Sequence, residues 1–291
     1  MQLGSLARWL KRDAPMPSRD WEGELFTVSV EGQGRDVVFI HGLAASPDTW
    51  ESAREHLGPG FRSHIVHMRG FAGLAASGFR RPGNFLKPMA DSLAAYVRSL
   101  KAGRVAVVGH SMGGIVGLIL ARDHADVVDR LMVVDVPAFF SVLINPFASA
   151  NTMAHLADHS RRSYVDKSDR QLEDDLRRAT EKLTINREMF DRIVQWGVDS
   201  DRKTTADVMA EVMVTDLRGD LSRIKAPVDV IYAWDKAGPA TKAGLEQVYA
   251  STYANLAHGR RIRIDQARHY VMFDQPEVFY NAVCDWLARA A

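Results

Sequence analysis

The chain has 291 residues, 46% of them hydrophobic and 25% charged, which is ample material for a folded core. Lys plus Arg number 37 against 36 for Asp plus Glu, so the net charge is +1 and gives no electrostatic reason to expect nucleic acid or an anionic membrane as partner. Cys284 is the single cysteine, which excludes an internal disulfide and makes a reducing compartment the simplest reading.

The opening segment, MQLGSLARWLKRDAP, has basic residues but no apolar run long enough for a secretory leader. A cytoplasmic location is therefore expected; if a leader has been removed, secretion or the periplasm is the alternative. No stretch approaches the roughly 18 unbroken apolar residues of a membrane helix, so no membrane span is expected. Further along, short runs rich in Val and Ile fall at 25–30, 37–40, 64–67, 105–108, 131–134, 228–232 and 261–264. Their near-continuous apolar character suits strands buried on both faces of a parallel sheet. Helical patterns follow most of them, at 47–57, 85–100, 112–124, 242–257 and 277–290. This alternation predicts an α/β fold with a doubly wound, mostly parallel sheet.

Residues 140–224 break the rhythm and read as successive amphipathic helices. Residues 169–183 are heavily charged with periodic Leu, and 206–217 carry Val208, Met209, Val212 and Met213 at helical spacing. The expected organisation is a core of 1–139 and 225–291 with a helical insertion at 140–224. Ligands bind beyond the strand ends of such sheets, so the insertion is expected to be a lid over the site. An added subdomain that only enlarges the core is the alternative.

The strongest signal is Val105-Ala-Val-Val-Gly-His-Ser-Met-Gly-Gly114. An apolar strand runs into Gly109-His110-Ser111-Met112-Gly113, and a helix follows. This is a G-x-S-x-G nucleophile elbow in the strand-to-helix setting it requires. The glycines remove side chains that would collide at the tight turn, and the helix N-terminus favours developing negative charge.

On these residues the chain resembles the α/β-hydrolase superfamily, in its lidded esterase and lipase-like branch. The resemblance runs from about Phe26 to the C-terminus and is weakest across the inserted helices. It implies Ser111 as nucleophile. It also implies an oxyanion hole made by the backbone N–H groups of Leu43, in the His41-Gly42-Leu43 segment after the second strand, and of Met112. His41 is read as bracing that loop, and His110 as structural. The general base should follow a late strand, which selects His269; His258 precedes that strand, and His155 and His159 fall in the insertion. The acid that orients the base is expected to be Asp235, at the end of the preceding strand, with Asp135 as competitor. Many relatives carry D-x-R-G-x-G after the fourth strand, but here His67 replaces the acid and Gly73 comes one place late, which puts the local hydrogen bonding of that loop in question.

Phe139, Phe140, Met153, Trp196, Met209, Met213 and Trp234 are candidates to line an apolar substrate pocket. Cys284 reads as a core residue. No metal-ligand cluster, phosphate-binding loop or dinucleotide fingerprint is evident, so no cofactor is implied. The expected activity is hydrolysis of a small apolar carboxylic ester by a serine carboxylesterase mechanism. The same triad acting on an amide or C–C bond, or in perhydrolysis, is the alternative, with a hydrolase-like receptor behind it. An aspartate nucleophile is disfavoured because the elbow holds Ser111. Composition does not determine an oligomeric state.

Overall fold

The computed structural model describes residues 20–77 and 83–289. The segment read for a secretory leader lies outside the described residues. Eight strands form one sheet in the order β1-β2-β4-β3-β5-β6-β7-β8. They are β1 (Trp21–Glu22), β2 (Phe26–Gly32), β3 (Arg35–Ile40), β4 (Phe61–Met68), β5 (Val105–His110), β6 (Val128–Val134), β7 (Val228–Trp234) and β8 (Arg261–Asp265). β1 and β2 pair antiparallel at one edge, β2 pairs antiparallel with β4, and every pairing from β4 to β8 is parallel.

The unbroken apolar runs follow from this arrangement, because alternate residues of each parallel strand enter opposite layers. Val38, Val107, Leu131, Val133 and Val230 join the layer under α2 (Leu86–Ser99) and α3 (Met112–Asp123). Val37, Phe39, Ala106, Val108, Met132 and Ile231 join the layer that includes α1 (Glu51–His56) and, at the chain's end, the helix Pro276–Ala288. With both faces covered, neither set has a polar side to show.

Four helices are inserted between β6 and β7: α4 (Ala150–Val165), α5 (Asp169–Leu183), α6 (Arg187–Val198) and α7 (Arg202–Val214). Each starts on a capping side chain, respectively Ser149, Ser168, Asn186 and Asp201, which accepts an otherwise orphaned N–H of the first turn. Asp201 explains why α7 begins four residues before the apolar spacing predicts, and extended backbone at Thr215 explains why it stops short of 217. The remaining helices are α8 (Lys242–Thr252), α9 (Val271–Asp274) and α10 (Pro276–Ala288).

The insertion is tied to loops at the C-terminal ends of the strands. The Asp201 N–H donates to the Gly70 carbonyl at 2.8 Å, and the Gly73 N–H to the Asp199 carbonyl at 3.0 Å. The Tyr270 N–H donates to the Leu183 carbonyl at 2.9 Å, and Asn186 Nδ2 to the Phe273 carbonyl at 3.0 Å. Among the described residues no helix is long and apolar enough to cross a membrane.

Candidate active site

β3 has β4 on one side and β5 on the other, so successive connections leave in opposite directions at this point. Such a switch in strand order opens a crevice at the C-terminal ends, where open α/β sheets bind ligands. Ser111 stands there, between β5 and α3, with φ 54° and ψ −122°. A non-glycine residue in this region costs about 1–3 kcal/mol, and the surroundings must hold it. They do so from both sides. The Ser111 N–H donates to the Val134 carbonyl of β6 at 2.8 Å, and its carbonyl accepts the Gly114 and Ile115 N–H groups at 2.8 and 3.3 Å. A Cβ on Gly109 would overlap the Gly113 carbonyl oxygen, and one on Gly113 would overlap the Ile40 and His41 carbonyl oxygens. Both elbow glycines are therefore required by close backbone approach.

The loop after β3 lies against the serine. A Cβ on Gly42 would stand 3.2 Å from Ser111 Cβ and 3.1 Å from His110 Nδ1. Leu43, next in the chain, is partly buried against the core, and Met112 opens α3, so its N–H has no acceptor within the helix. His41 braces this loop. Its Nε2 accepts the Met68 N–H at 3.1 Å, so Nδ1 carries the proton and donates to the Gly42 carbonyl at 2.7 Å. Burial, reinforced by neighbouring His67, lowers the His41 pKa to about 3, so the ring is neutral. The atypical His67 approaches the Phe71 carbonyl through Nε2 at 2.9 Å, while Arg69 bonds the Gly23 carbonyl and Glu22 at 3.0 and 2.6 Å. That loop is thus held by contacts that do not need the acid found in relatives.

His269 follows β8, as expected, but its partner does not match the expectation. His269 Nδ1 lies 2.8 Å from Asp135 Oδ2, leaving Nε2 as the free ring nitrogen. Asp135 leaves the end of β6 with φ 53°, and its other carboxylate oxygen accepts the Ala233 N–H at 2.9 Å and the Tyr249 hydroxyl at 3.3 Å. Asp235 is engaged elsewhere: Oδ2 accepts Arg268 Nε at 2.8 Å and Oδ1 accepts the Ala237 N–H at 3.3 Å. Burial pushes the Asp235 carboxyl up, but Arg268 and the Ala237 N–H together hold it below the usual carboxylate range. Arg268 also donates to the Glu181 carbonyl of α5. The structure therefore does not pair His269 with Asp235; the residue beside His269 has claimed that carboxylate. Chain order could not separate the two aspartates, since both fall between Ser111 and His269. Tyr249 and the Ala233 N–H carry no sequence signal as partners of Asp135.

The proposed pocket residues fall into separate groups. Phe139, Met153 and Met213 share an interior cluster with Val142, Ala148 and Ala157, and Phe140 packs against its edge. Trp196 belongs to the layer on the α10 side, near Tyr270 and Phe273. Trp234 donates Nε1 to the Ala240 carbonyl at 3.0 Å and lies under the Lys242 ammonium, while Met209 is 36% exposed. Cys284 is partly buried against the α10-side layer. Among the described residues, no group of three or more His, Cys, Asp or Glu is arranged to hold a metal ion.

Residues 37–282 match the model of the alpha/beta hydrolase family. The chain belongs to that family. Within it, the pimeloyl-[acyl-carrier protein] methyl ester esterase of Vibrio vulnificus is 33% identical over 107 residues, covering 36% of this chain and 38% of that protein. The protein of the same name from Nitrosomonas europaea is 24% identical over 257 residues, covering 87% and 96%. RutD of Pantoea ananatis, to which carbamate hydrolysis is provisionally ascribed, is 23% identical over 268 residues, covering 88% and 89%. Among solved structures, the enol-lactonase of Burkholderia xenovorans aligns with a TM-score of 0.72 at 21% identity, covering 91% of this chain and 96% of that one. An esterase of Thermogutta terrifontis aligns with a TM-score of 0.73 at 20% identity, covering 90% and 93%. At these identities the structural likeness speaks for the alpha/beta hydrolase fold alone.

Proposed function

We propose that this alpha/beta hydrolase cleaves carboxylic esters through an acyl-enzyme on Ser111, with His269 as general base and Asp135 as the acid that orients it. The observation that carries this reading is the His269–Asp135 pair, closed at 2.8 Å through Nδ1 beside a strained serine at a strand-to-helix turn. Asp135 fixes the tautomer in which Nε2 is the basic atom. Ser111 Oγ attacks the ester carbonyl carbon while its proton passes to His269 Nε2. The oxyanion that forms is stabilised by the backbone N–H groups of Leu43 and Met112, where loss of one donor costs about 3 kcal/mol. Collapse expels the alcohol, which takes the proton from His269. Water then attacks the acyl-enzyme, His269 accepts its proton, and the acid leaves as Ser111 recovers its own.

An ester is favoured over an amide by the relatives named methyl ester esterases. In the same reading α4–α7 act as a lid, supported by their bonds to the Gly70 and Tyr270 loops. The apolar acyl group would meet Leu43, partly buried in the loop after β3 that lies against Ser111. The test is a chromogenic ester panel of graded acyl length, with an amide and a carbamate as further arms, run on wild type and Ser111→Ala. Ester turnover that Ser111→Ala abolishes is expected. Equal rates for the two proteins would overturn the mechanism, and turnover confined to the amide or carbamate would overturn the substrate class.

A further inference from the structure

His110 precedes Ser111 in the elbow and is 1% exposed. Its Nε2 lies 3.0 Å from the backbone carbonyl of His269. A carbonyl can only accept, so Nε2 carries the proton. Nδ1 is then a bare lone pair, and it is buried with no hydrogen-bond partner. The two rings sit 4.5 Å apart between centroids, tilted by 45°. The ring of Trp50, whose Nε1 is also buried without a partner, stands nearly perpendicular to that of His110 at 6.4 Å between centroids.

An orphaned buried acceptor costs about 1–3 kcal/mol, a penalty that an apolar side chain of similar size would avoid. Packing alone therefore argues against histidine here. The one polar bond this ring makes reaches the main chain of the residue that holds the proposed base. Burial, with His269 nearby, also holds the His110 pKa well below the ordinary histidine value, so the ring stays neutral beside an imidazolium formed on His269.

We infer that His110 is a positioning residue: through Nε2–H it pins the His269 carbonyl and so couples the base loop to the nucleophile elbow. This rests on the serine hydrolase reading above. A single side chain, adjacent to Ser111 in sequence, sets the distance between two groups that are 158 positions apart by their numbering. His269 is attached to the sheet by the Asp135 bond to its ring and by the His110 bond to its backbone. Together they fix both ring direction and ring position. Without the backbone bond, the ring keeps its tautomer but loses its registration on Ser111.

The test compares His110→Leu, His110→Asn and His110→Gln in the full chain. Gln places an amide N–H near the position of Nε2, while Asn reaches only as far as Nδ1 and Leu has no donor. Each variant is checked by thermal melting, then assayed for kcat and KM on the best chromogenic ester and for labelling of Ser111 by a fluorophosphonate. His110→Leu and His110→Asn are expected to lower kcat and the labelling rate by about tenfold to a hundredfold, with KM within about twofold, because misplacement of a reacting group costs on that scale. His110→Gln is expected to recover most of that loss. Should His110→Leu not fold, the Gln and Asn pair decides. Wild-type kcat in His110→Leu, a loss confined to KM, or a His110→Gln as impaired as His110→Asn would each overturn the inference. Absence of both ester turnover and labelling in the wild type would instead overturn the hydrolase reading beneath it. Wild-type turnover that Ser111→Ala abolishes leaves His110 to be judged on its own variants.

Discussion

Asp135 and His269 are 134 residues apart in sequence, yet Oδ2 of one lies 2.8 Å from Nδ1 of the other. The carboxylate approaches from the end of β6, and its second oxygen is already held by the Ala233 N–H and the Tyr249 hydroxyl. Burial, with Asp135 nearby, raises the Tyr249 pKa well above the ordinary tyrosine value, so its hydroxyl keeps its proton and donates. Asp135 thus has a donor for each oxygen.

This relationship separates the two aspartates experimentally. Asp135→Asn is expected to lower kcat by about 1,000- to 10,000-fold with the fold intact, as loss of the orienting acid does in serine hydrolases. Asp235→Asn loses only its bond to Arg268 and is expected to stay within about tenfold of wild type. Ester kinetics and a melting curve on both variants check this. Collapse of turnover in Asp235→Asn alone would reverse the assignment.

The backbone at Ser111 makes a prediction about stability. With φ at 54°, glycine fits the turn without strain, whereas alanine keeps the strain that serine carries. Strain relief of about 1–3 kcal/mol outweighs the 0.4–1 kcal/mol or so that a glycine adds to unfolded-chain entropy. Ser111→Gly should therefore be about 1 kcal/mol more stable than Ser111→Ala, a difference of about 2–4 °C in Tm. Both variants lack the Ser111 hydroxyl, so calorimetry compares them on the backbone alone. A less stable glycine variant would show that the turn holds no strain.

His41 links stability to pH. Its folded pKa is about 3, against an unfolded value of about 6.5, so between these limits the unfolded chain binds more protons. Stability from this group is present above pH 6.5 or so and is lost as pH falls towards 3, by an amount on the order of a few kcal/mol. His41→Gln can still accept the Met68 N–H but does not titrate. Urea denaturation across pH 4 to 7.5 is expected to show a flatter profile for the variant. Parallel profiles would mean that His41 is not the group responsible.

Glu211 predicts the opposite slope. On α7, it accepts the Phe85 and Leu86 N–H groups at 2.7 and 3.1 Å, capping α2 from the insertion. Burial raises its pKa more than those two bonds lower it. The raised folded value makes its contribution fullest below the unfolded pKa of about 4.3, with loss as pH climbs through the folded value. The stability advantage of wild type over Glu211→Gln should therefore shrink from about pH 4 to about pH 7, as chemical denaturation at the two values would record. An advantage that grows with pH would contradict this cause.

Much of the frame was legible because its signals are local. Val105-Ala-Val-Val108 is apolar throughout because β5 is covered on both faces, and Gly109 and Gly113 flank Ser111 because backbones approach there too closely for a side chain. Helix α5 matches its predicted span, Asp169–Leu183, since one charged face and periodic leucines are enough to specify it. The strand β1 is only two residues long and makes no periodic pattern to read.

The sequence by itself therefore determined the doubly wound sheet, the elbow that presents Ser111 and the position of His269 after the last strand. Each of these follows from residue spacing and from which faces are buried. Tertiary structure alone decided which carboxylate meets His269. Asp135 and Asp235 leave the ends of neighbouring parallel strands, in the same chain order relative to Ser111 and His269. What distinguishes them is the direction of a side chain over a few ångströms: Arg268 reaches Asp235, and the Ala233 N–H and Tyr249 hydroxyl hold Asp135 towards the imidazole. Hydrogen bonds of this range depend on where the folded elements place their donors, and periodicity along the chain does not record that.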